Sequence, residues 1–396
     1  MAISQRAQDS VRIESQMLPA NTSIGAASTS TDYAQAQRQH QSWVSEVRST
    51  IQRYKNGAAP EVLIRKVPEY LRLPQEKFTP KEWRFGLHNR ELHTSGTERL
   101  KISVAGYFFA RLESDAWDNF CNVVVDDPAR FVRLYGLQDG FTEFSETQVK
   151  YLLALDALFL AKRGFQFQGR LCMDLHWYGI CLLTDMVLLE NQVPMDLLRK
   201  VAEYKLIDYY SLDRVRNSTV NWICPLSLNT SQNPDGVQYP DLVNCSHFLD
   251  CLHKMMCGPD PPEAKGRYVP IESAVNLMLA GIKIKGVPGT LTKVSFQGGC
   301  LSLPIIKIFD RFETVFRNLS VYEYYSLQPG SHCTISGYRL LMGNLIGNLD
   351  DVKLLIKHGV IISYVGPETA DMSVRDEIRV LVDVRLLRFK MGQYEK

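Results

Sequence analysis

Apolar side chains are spread so unevenly along this chain that the pattern alone divides it. Residues Met1–Gln41 are rich in Ser, Thr, Ala and Gln and hold few large apolar side chains. Such a segment cannot bury enough surface to offset the entropy of ordering, so it reads as disordered. From Ser42 the pattern turns periodic: Val44, Val47, Ile51 and Tyr54 recur at helical spacing, and Asn56-Gly57 ends the run. The densest apolar stretch is Leu182–Val201. It has too many apolar positions for one face of a surface helix, which predicts a buried helix, a break at Pro194 and a second helix starting there. Asp185, Glu190, Asn191 and Gln192 sit in the middle of this run, so the two helices are expected to meet at a polar corner. Buried carboxylates and amides are tolerated only when hydrogen-bonded. These side chains are therefore expected to bond backbone groups of the corner or of an adjacent segment.

Elsewhere the punctuation is local. Pro68, Pro74 and Pro80 make Val62–Pro80 extended and irregular. Thr97–Glu113 reads as a helix, with Leu100, Val104, Tyr107 and Phe108 on one side. Asp126-Asp127-Pro128 is a turn, and Val149–Lys162 is a buried helix. Residues Val201–Arg216 read as helical, and Asn229–Pro240 as a loop about Asn233-Pro-Asp-Gly236. Cys245–Cys257 is a helix ended by Gly258, and Ile271–Ile282 is amphipathic. Leu291–Phe296 and Cys300–Leu303 read as a hairpin around Gln297-Gly-Gly299. Two further helices carry Tyr338, Leu341, Met342 and Leu345, then Val352, Leu355 and Ile356. Asp350 or Asp351 is expected to cap the second, and Gly359 to close it. That last segment resembles one helix of an ankyrin repeat, but no second copy follows at a fixed period. The expected architecture is mainly α: one large helical domain over residues 42–370, a small β-hairpin inserted in its C-terminal half, and a tail or truncated helix over residues 371–396.

Composition narrows the function classes. The net charge is +2 and no long basic stretch is interleaved with aromatics, which argues against nucleic-acid binding. The nine cysteines are odd in number and irregularly spaced, which reads as reduced thiols and a cytoplasmic location. No secretory signal is visible, and the best candidate span, Val149–Ala161, is too short and contains Lys150 and Asp156. Arg385, Arg388 and Lys390 lie among apolar residues in the tail, which keeps peripheral membrane contact as a further reading.

Three groups could carry chemistry. Asp185 and Glu190 are candidate paired carboxylates, but on a helix they would lie roughly 140° apart around the axis. A structural role accepting hydrogen bonds is the expectation. Cys245, His247, Cys251, His253 and Cys257 are a dense soft-ligand cluster, but they lack a usual zinc spacing. They read as core residues without a metal. His88 and His93 lack the spacing of a metal motif and read as solvated loop residues. No nucleophile elbow, phosphate loop or dinucleotide turn occurs, and no cofactor is expected.

Several blocks together resemble one family. Asp185-Met-Val-Leu-Leu189-Glu190-Asn191-Gln192-Val-Pro194 is similar to its Leu-Glu-Asn-Gln-Ile/Val-Pro signature. Ile64-Arg-Lys-Val-Pro68 and Phe78-Thr-Pro80 resemble its N-terminal entry. Asp156-Ala-Leu-Phe159, His247-Phe-Leu-Asp250, Phe316-Arg-Asn318-Leu-Ser-Val-Tyr-Glu323 and Asp351-Val-Lys-Leu-Leu355 match later blocks in order. The family is the plant domain of unknown function 247, also called uncharacterised protein family 0481. The resemblance runs from about Val62 to about Gly366. Its Ser-Ile-Gly-Pro-x-His block appears here as Trp83-Arg-Phe-Gly-Leu-His88, keeping only the Gly and the His. The resemblance implies a plant source, a mostly helical domain, and no established activity. Members usually end in a hydrophobic anchor helix, and this chain is expected to lack it. The reading is a non-catalytic protein-interaction domain with an unidentified protein partner. The alternatives are an enzyme with its site at the Asp185/Glu190 corner and a peripheral membrane protein.

Overall fold

The computed structural model describes residues 64–72, 74–88, 96–137, 144–163, 181–206, 223–228, 244–258, 270–326 and 333–364. Every described residue lies within the unit Glu61–Lys396. The expected disordered segment, the helix from Ser42, the loop at 229–240, His93 and the basic tail all fall outside the described residues. So does most of the helix expected over 201–216.

The architecture is mainly α. Helix α4 (Glu146–Arg163) packs against α1 (Gly96–Phe109), α2 (Ala116–Val124), α3 (Pro128–Leu134) and α5 (Met195–Val201). Leu153, Ala154, Ala157, Leu158, Phe159, Leu160 and Ala161 are all buried, so α4 is covered nearly all round. Its start is a reciprocal cap, with Gln148 N–H donating to Ser145 Oγ and Ser145 N–H to Gln148 Oε1. The turn expected at Asp126–Pro128 feeds α3, where Asp127 accepts the Arg130 N–H and Pro128 occupies the first turn.

In the C-terminal half, α6 (Phe248–Cys257) packs on α8 (Phe312–Ser326), which packs on α9 (Thr334–Leu345). Between α6 and α8 in the chain lie α7 (Ala274–Leu279) and four short strands, and a fifth follows near residue 361. Strands β1 (Lys283–Val287), β2 (Ser295–Gln297) and β3 (Cys300–Pro304) form a sheet of order β1-β3-β2. β2 and β3 are the expected hairpin. Its two-residue turn, Gly298-Gly299, has φ of 56° and 72°, the conformation a tight hairpin needs. The hairpin is smaller than the sequence implied, because Leu291–Lys293 is a 3-10 turn. β1, parallel to β3, was not anticipated, although Ile282, Ile284 and Gly286 alternate with Lys283 and Lys285. A second sheet pairs β4 (Ile306–Ile308) with β5 (Ile361–Ser363), also parallel. Helix α10 (Leu349–Lys357) is capped by Asn348, not by an aspartate. Asp351 instead completes the capping box from within the helix.

The largest departure concerns Leu182–Val193. Helical residues end at 185, and residues 186–193 form an irregular turn before α5. The cause lies in the side chains that follow. Asn191 Nδ2 donates to the Asp185 carbonyl at 2.8 Å, and Gln192 Nε2 donates to those of Met186 and Leu188 at 2.7 and 2.6 Å. A continuing helix would need these carbonyls for backbone N–H groups four residues on. Leu189 N–H is diverted in turn to Asn318 Oδ1 at 2.8 Å. The side chains end the helix well before Pro194 does.

Candidate functional site

The corner at 185–192 binds the entry segment 64–88, and the entry segment contributes mostly backbone. Asp185 Oδ1 accepts the Lys81 N–H at 3.0 Å, while Oδ2 accepts those of Glu82 and Trp83 at 3.0 and 2.8 Å. Asn191 Oδ1 accepts the Phe85 N–H at 2.7 Å, and its amide donates to the Trp83 carbonyl at 2.7 Å. Glu190 Oε1 accepts the Val67 N–H at 2.5 Å and an ion-paired hydrogen bond from Arg72. Asn318, on α8, joins the two stretches, donating to the Lys77 carbonyl while it holds the Leu189 N–H. Gln192 Oε1 reaches the other way, to the Leu249 N–H of α6 at 3.1 Å. Asp185, Leu189, Glu190, Asn191, Gln192 and Asn318 are all buried.

Asp156 completes the set from α4. Its Oδ2 accepts the Gly86 N–H at 2.9 Å and its Oδ1 accepts from Lys101 Nζ at 2.8 Å. Lys101 and Asp156 are fully buried, and the ammonium also meets Glu98, the Arg84 carbonyl and the face of Phe85. Trp83 stacks on Phe159 at 4.8 Å, with both rings buried. The block that departs from the family pattern, Trp83–His88, is therefore held chiefly through its N–H groups. Such bonds do not depend on residue identity, whereas Trp83, Phe85 and Leu87 are fixed by burial in the core and Gly86 by its positive φ.

The remaining sequence candidates act as caps around α6, α8 and α9. His247 caps α6 by accepting the Asp250 N–H at its Nδ1, and Asp250 accepts the Ser246 N–H, Lys254 and the Tyr322 hydroxyl. Glu323 reaches from α8 to the start of α9, accepting the Ile335 and Ser336 N–H groups at 2.8 and 2.6 Å. Pro68 accepts the Leu71 N–H in a 3-10 turn, and Pro194 precedes α5.

Asp185 and Glu190 are committed to different partners. The residues between them are not helical, so helical rotation does not set their spacing. Asp185 holds residues 81–83, while Glu190 holds Val67 and Arg72. A second constellation, Cys257, His253 and Glu323, lacks the layout of a nucleophile, base and orienter. The base would use opposite ring nitrogens, whereas Cys257 Sγ lies nearer Nε2, at 3.4 Å, than Nδ1, at 3.9 Å, and Nε2 is also the atom 3.3 Å from Glu323 Oε1.

Burial dominates the electrostatics. It pushes the Asp185 carboxyl up, against the three N–H groups that favour its ionised form. His88 is not the solvated loop residue expected. Burial lowers its pKa from 6.5 to about 4, while its Nε2–H donates to the Ile64 carbonyl at 3.1 Å. The unfolded chain takes up this proton below 6.5 and the folded chain only near 4. The stability from a neutral His88 is therefore fully present above pH 6.5 and is lost as pH falls through about 4. His88→Gln keeps an N–H donor and removes the titration. Its stability should fall less than the parent's over that window, by up to about 3 kcal/mol. Parallel denaturant midpoints at several pH values check this, and identical pH slopes would contradict it.

The fold and its inward-turned polar residues define a class: a mainly helical domain whose polar signature is tied to its own backbone. The family model described as DUF247, plant protein of unknown function, matches residues 64–384, and the chain belongs to that family. No curated protein and no solved structure matches it. Among the described residues, no helix is long and apolar enough to cross a membrane.

Proposed function

We propose that this chain is a non-catalytic protein-interaction domain, and that its Glu190-Asn191-Gln192 signature with Asp185 is an internal clasp. The observation that supports this most is that Asp185 accepts three consecutive N–H groups, of Lys81, Glu82 and Trp83. A carboxylate so engaged has little capacity left to exchange protons with a substrate. Glu190 is committed to Val67 and Arg72 in the same way. This weighs against an enzyme centred on the corner. In this reading the outer surface meets a protein partner, and the clasp fixes the shape of that surface.

The test is native affinity purification of the full chain from plant tissue, with Asp185→Asn in parallel at a temperature where both are folded. Asp185→Asn keeps an oxygen acceptor and the shape of the side chain. It should lower the denaturant midpoint, by about 1–3 kcal/mol in stability, and recover the same stoichiometric protein partner as the parent. A variant as stable as the parent that has lost its partner would place function at the corner itself.

A further inference from the structure

We propose that His253, Cys257 and Glu323 form a buried binding site for a divalent zinc-type metal ion between α6 and α8. One ligand atom from each lies within 4.8 Å of the others, and all three residues are buried. His253 and Cys257 are four residues apart on α6 and share a face, and Glu323 projects from α8. Zinc bonds of about 2.0–2.3 Å to N, O and S make the edges of a tetrahedron roughly 3.3–3.6 Å long. Two edges already have that length: His253 Nε2 to Glu323 Oε1 is 3.3 Å, and Cys257 Sγ to His253 Nε2 is 3.4 Å. Both run through the same nitrogen. A cation among the three would take an electron pair from each of Nε2, Oε1 and Sγ.

The charges also balance. Binding releases one proton from the Cys257 thiol to solvent, and the thiolate and the Glu323 carboxylate then neutralise a dication beside a neutral imidazole. That leaves no net charge in a place where an uncompensated one would be costly. The fourth position is left to a water molecule. Outer partners already fix the ligands: Glu323 is held by the Ile335 and Ser336 N–H groups and the Ser336 hydroxyl, and the His253 ring packs edge-on against Tyr322. Other members of the cysteine–histidine cluster are engaged elsewhere. His247 caps the helix and Cys251 Sγ lies 4.0 Å from the Met255 sulfur. The sequence pointed away from a metal because the third ligand comes from a different helix.

The experiment is Co2+ titration of the reduced full-length chain, followed by displacement with Zn2+. The parent should take up about one equivalent, with the visible bands of tetrahedral cobalt and a thiolate charge-transfer band. Cys257→Ala should lose that band and on the order of 100-fold or more in affinity. Cys251→Ala, a buried thiol on the same helix, should behave like the parent. A folded parent that develops no thiolate–cobalt band overturns the proposal, and so does a Cys257→Ala variant that keeps it.

Discussion

Asp156→Ala is expected to destabilise the protein by about 3 kcal/mol, the lower end of the range for breaking a buried ion pair by removing one partner. Lys101 Nζ is 2.8 Å from Asp156, and both side chains are wholly removed from solvent. The substitution strands an ammonium inside the core and leaves the Gly86 N–H without its acceptor. Glu98, 2.7 Å from the same ammonium, keeps one counter-charge in place, which holds the loss near the lower limit. Adding Lys101→Met to Asp156→Ala should recover part of the loss, because the stranded charge is then gone while the side-chain volume is kept. Denaturant midpoints of the parent, the single variant and the double variant measure this. A single variant within about 0.5 kcal/mol of the parent would show that the pair is not holding α1 to α4.

Gly86→Ala should cost about 2–5 kcal/mol, from two additive causes. Gly86 has φ of 68°, where an L side chain is strained by roughly 1–2 kcal/mol. Its Cβ would also lie 2.5 Å from the Gln192 carbonyl oxygen and 2.6 Å from the Tyr135 hydroxyl. Neither neighbour can retreat cheaply, because that hydroxyl is bonded to that carbonyl at 2.8 Å. The control has the opposite sign. Gly337 is exposed within α9, and an added Cβ there meets nothing within 4 Å. Gly337→Ala should therefore stabilise by about 0.5–1 kcal/mol. Thermal or denaturant melts of both variants decide the matter. A neutral Gly86→Ala would mean that the entry loop is not pressed against the corner.

Much of the helical fold was legible because periodicity and punctuation are local. Val149–Lys162 announced itself by its density of Leu and Ala, and Gly298-Gly299 by glycine's access to the positive φ that two-residue hairpin turns favour. The corner at Leu182–Val193 was legible in location and in its need for backbone partners. It was not legible in shape, because apolar density cannot show that Asn191 and Gln192 will take the carbonyls a helix needs. The partners of the clasp were out of reach for a related reason. Lys81, Glu82, Trp83 and Phe85 contribute N–H groups, which leave no trace in residue identity. Lys101 and Arg72 sit far along the chain from Asp156 and Glu190, and a buried lysine on an amphipathic stretch looks like any surface lysine. The cap of α9 by Glu323, and its meeting with His253 and Cys257, depend on tertiary packing of α6, α8 and α9 that no spacing encodes.

The central claim is that the corner holds the entry segment by accepting its backbone N–H groups. Residue-resolved amide hydrogen exchange on the full chain tests it most directly. Residues 81–88 contain no helix or strand, so ordinary loop behaviour would be rapid exchange. If the clasp holds together with Asp156, the amides of Val67, Trp83, Phe85 and Gly86 exchange as slowly as those in the middle of α4, and Asp185→Asn selectively speeds that of Trp83. Rapid exchange at these four amides in the folded parent would contradict the account.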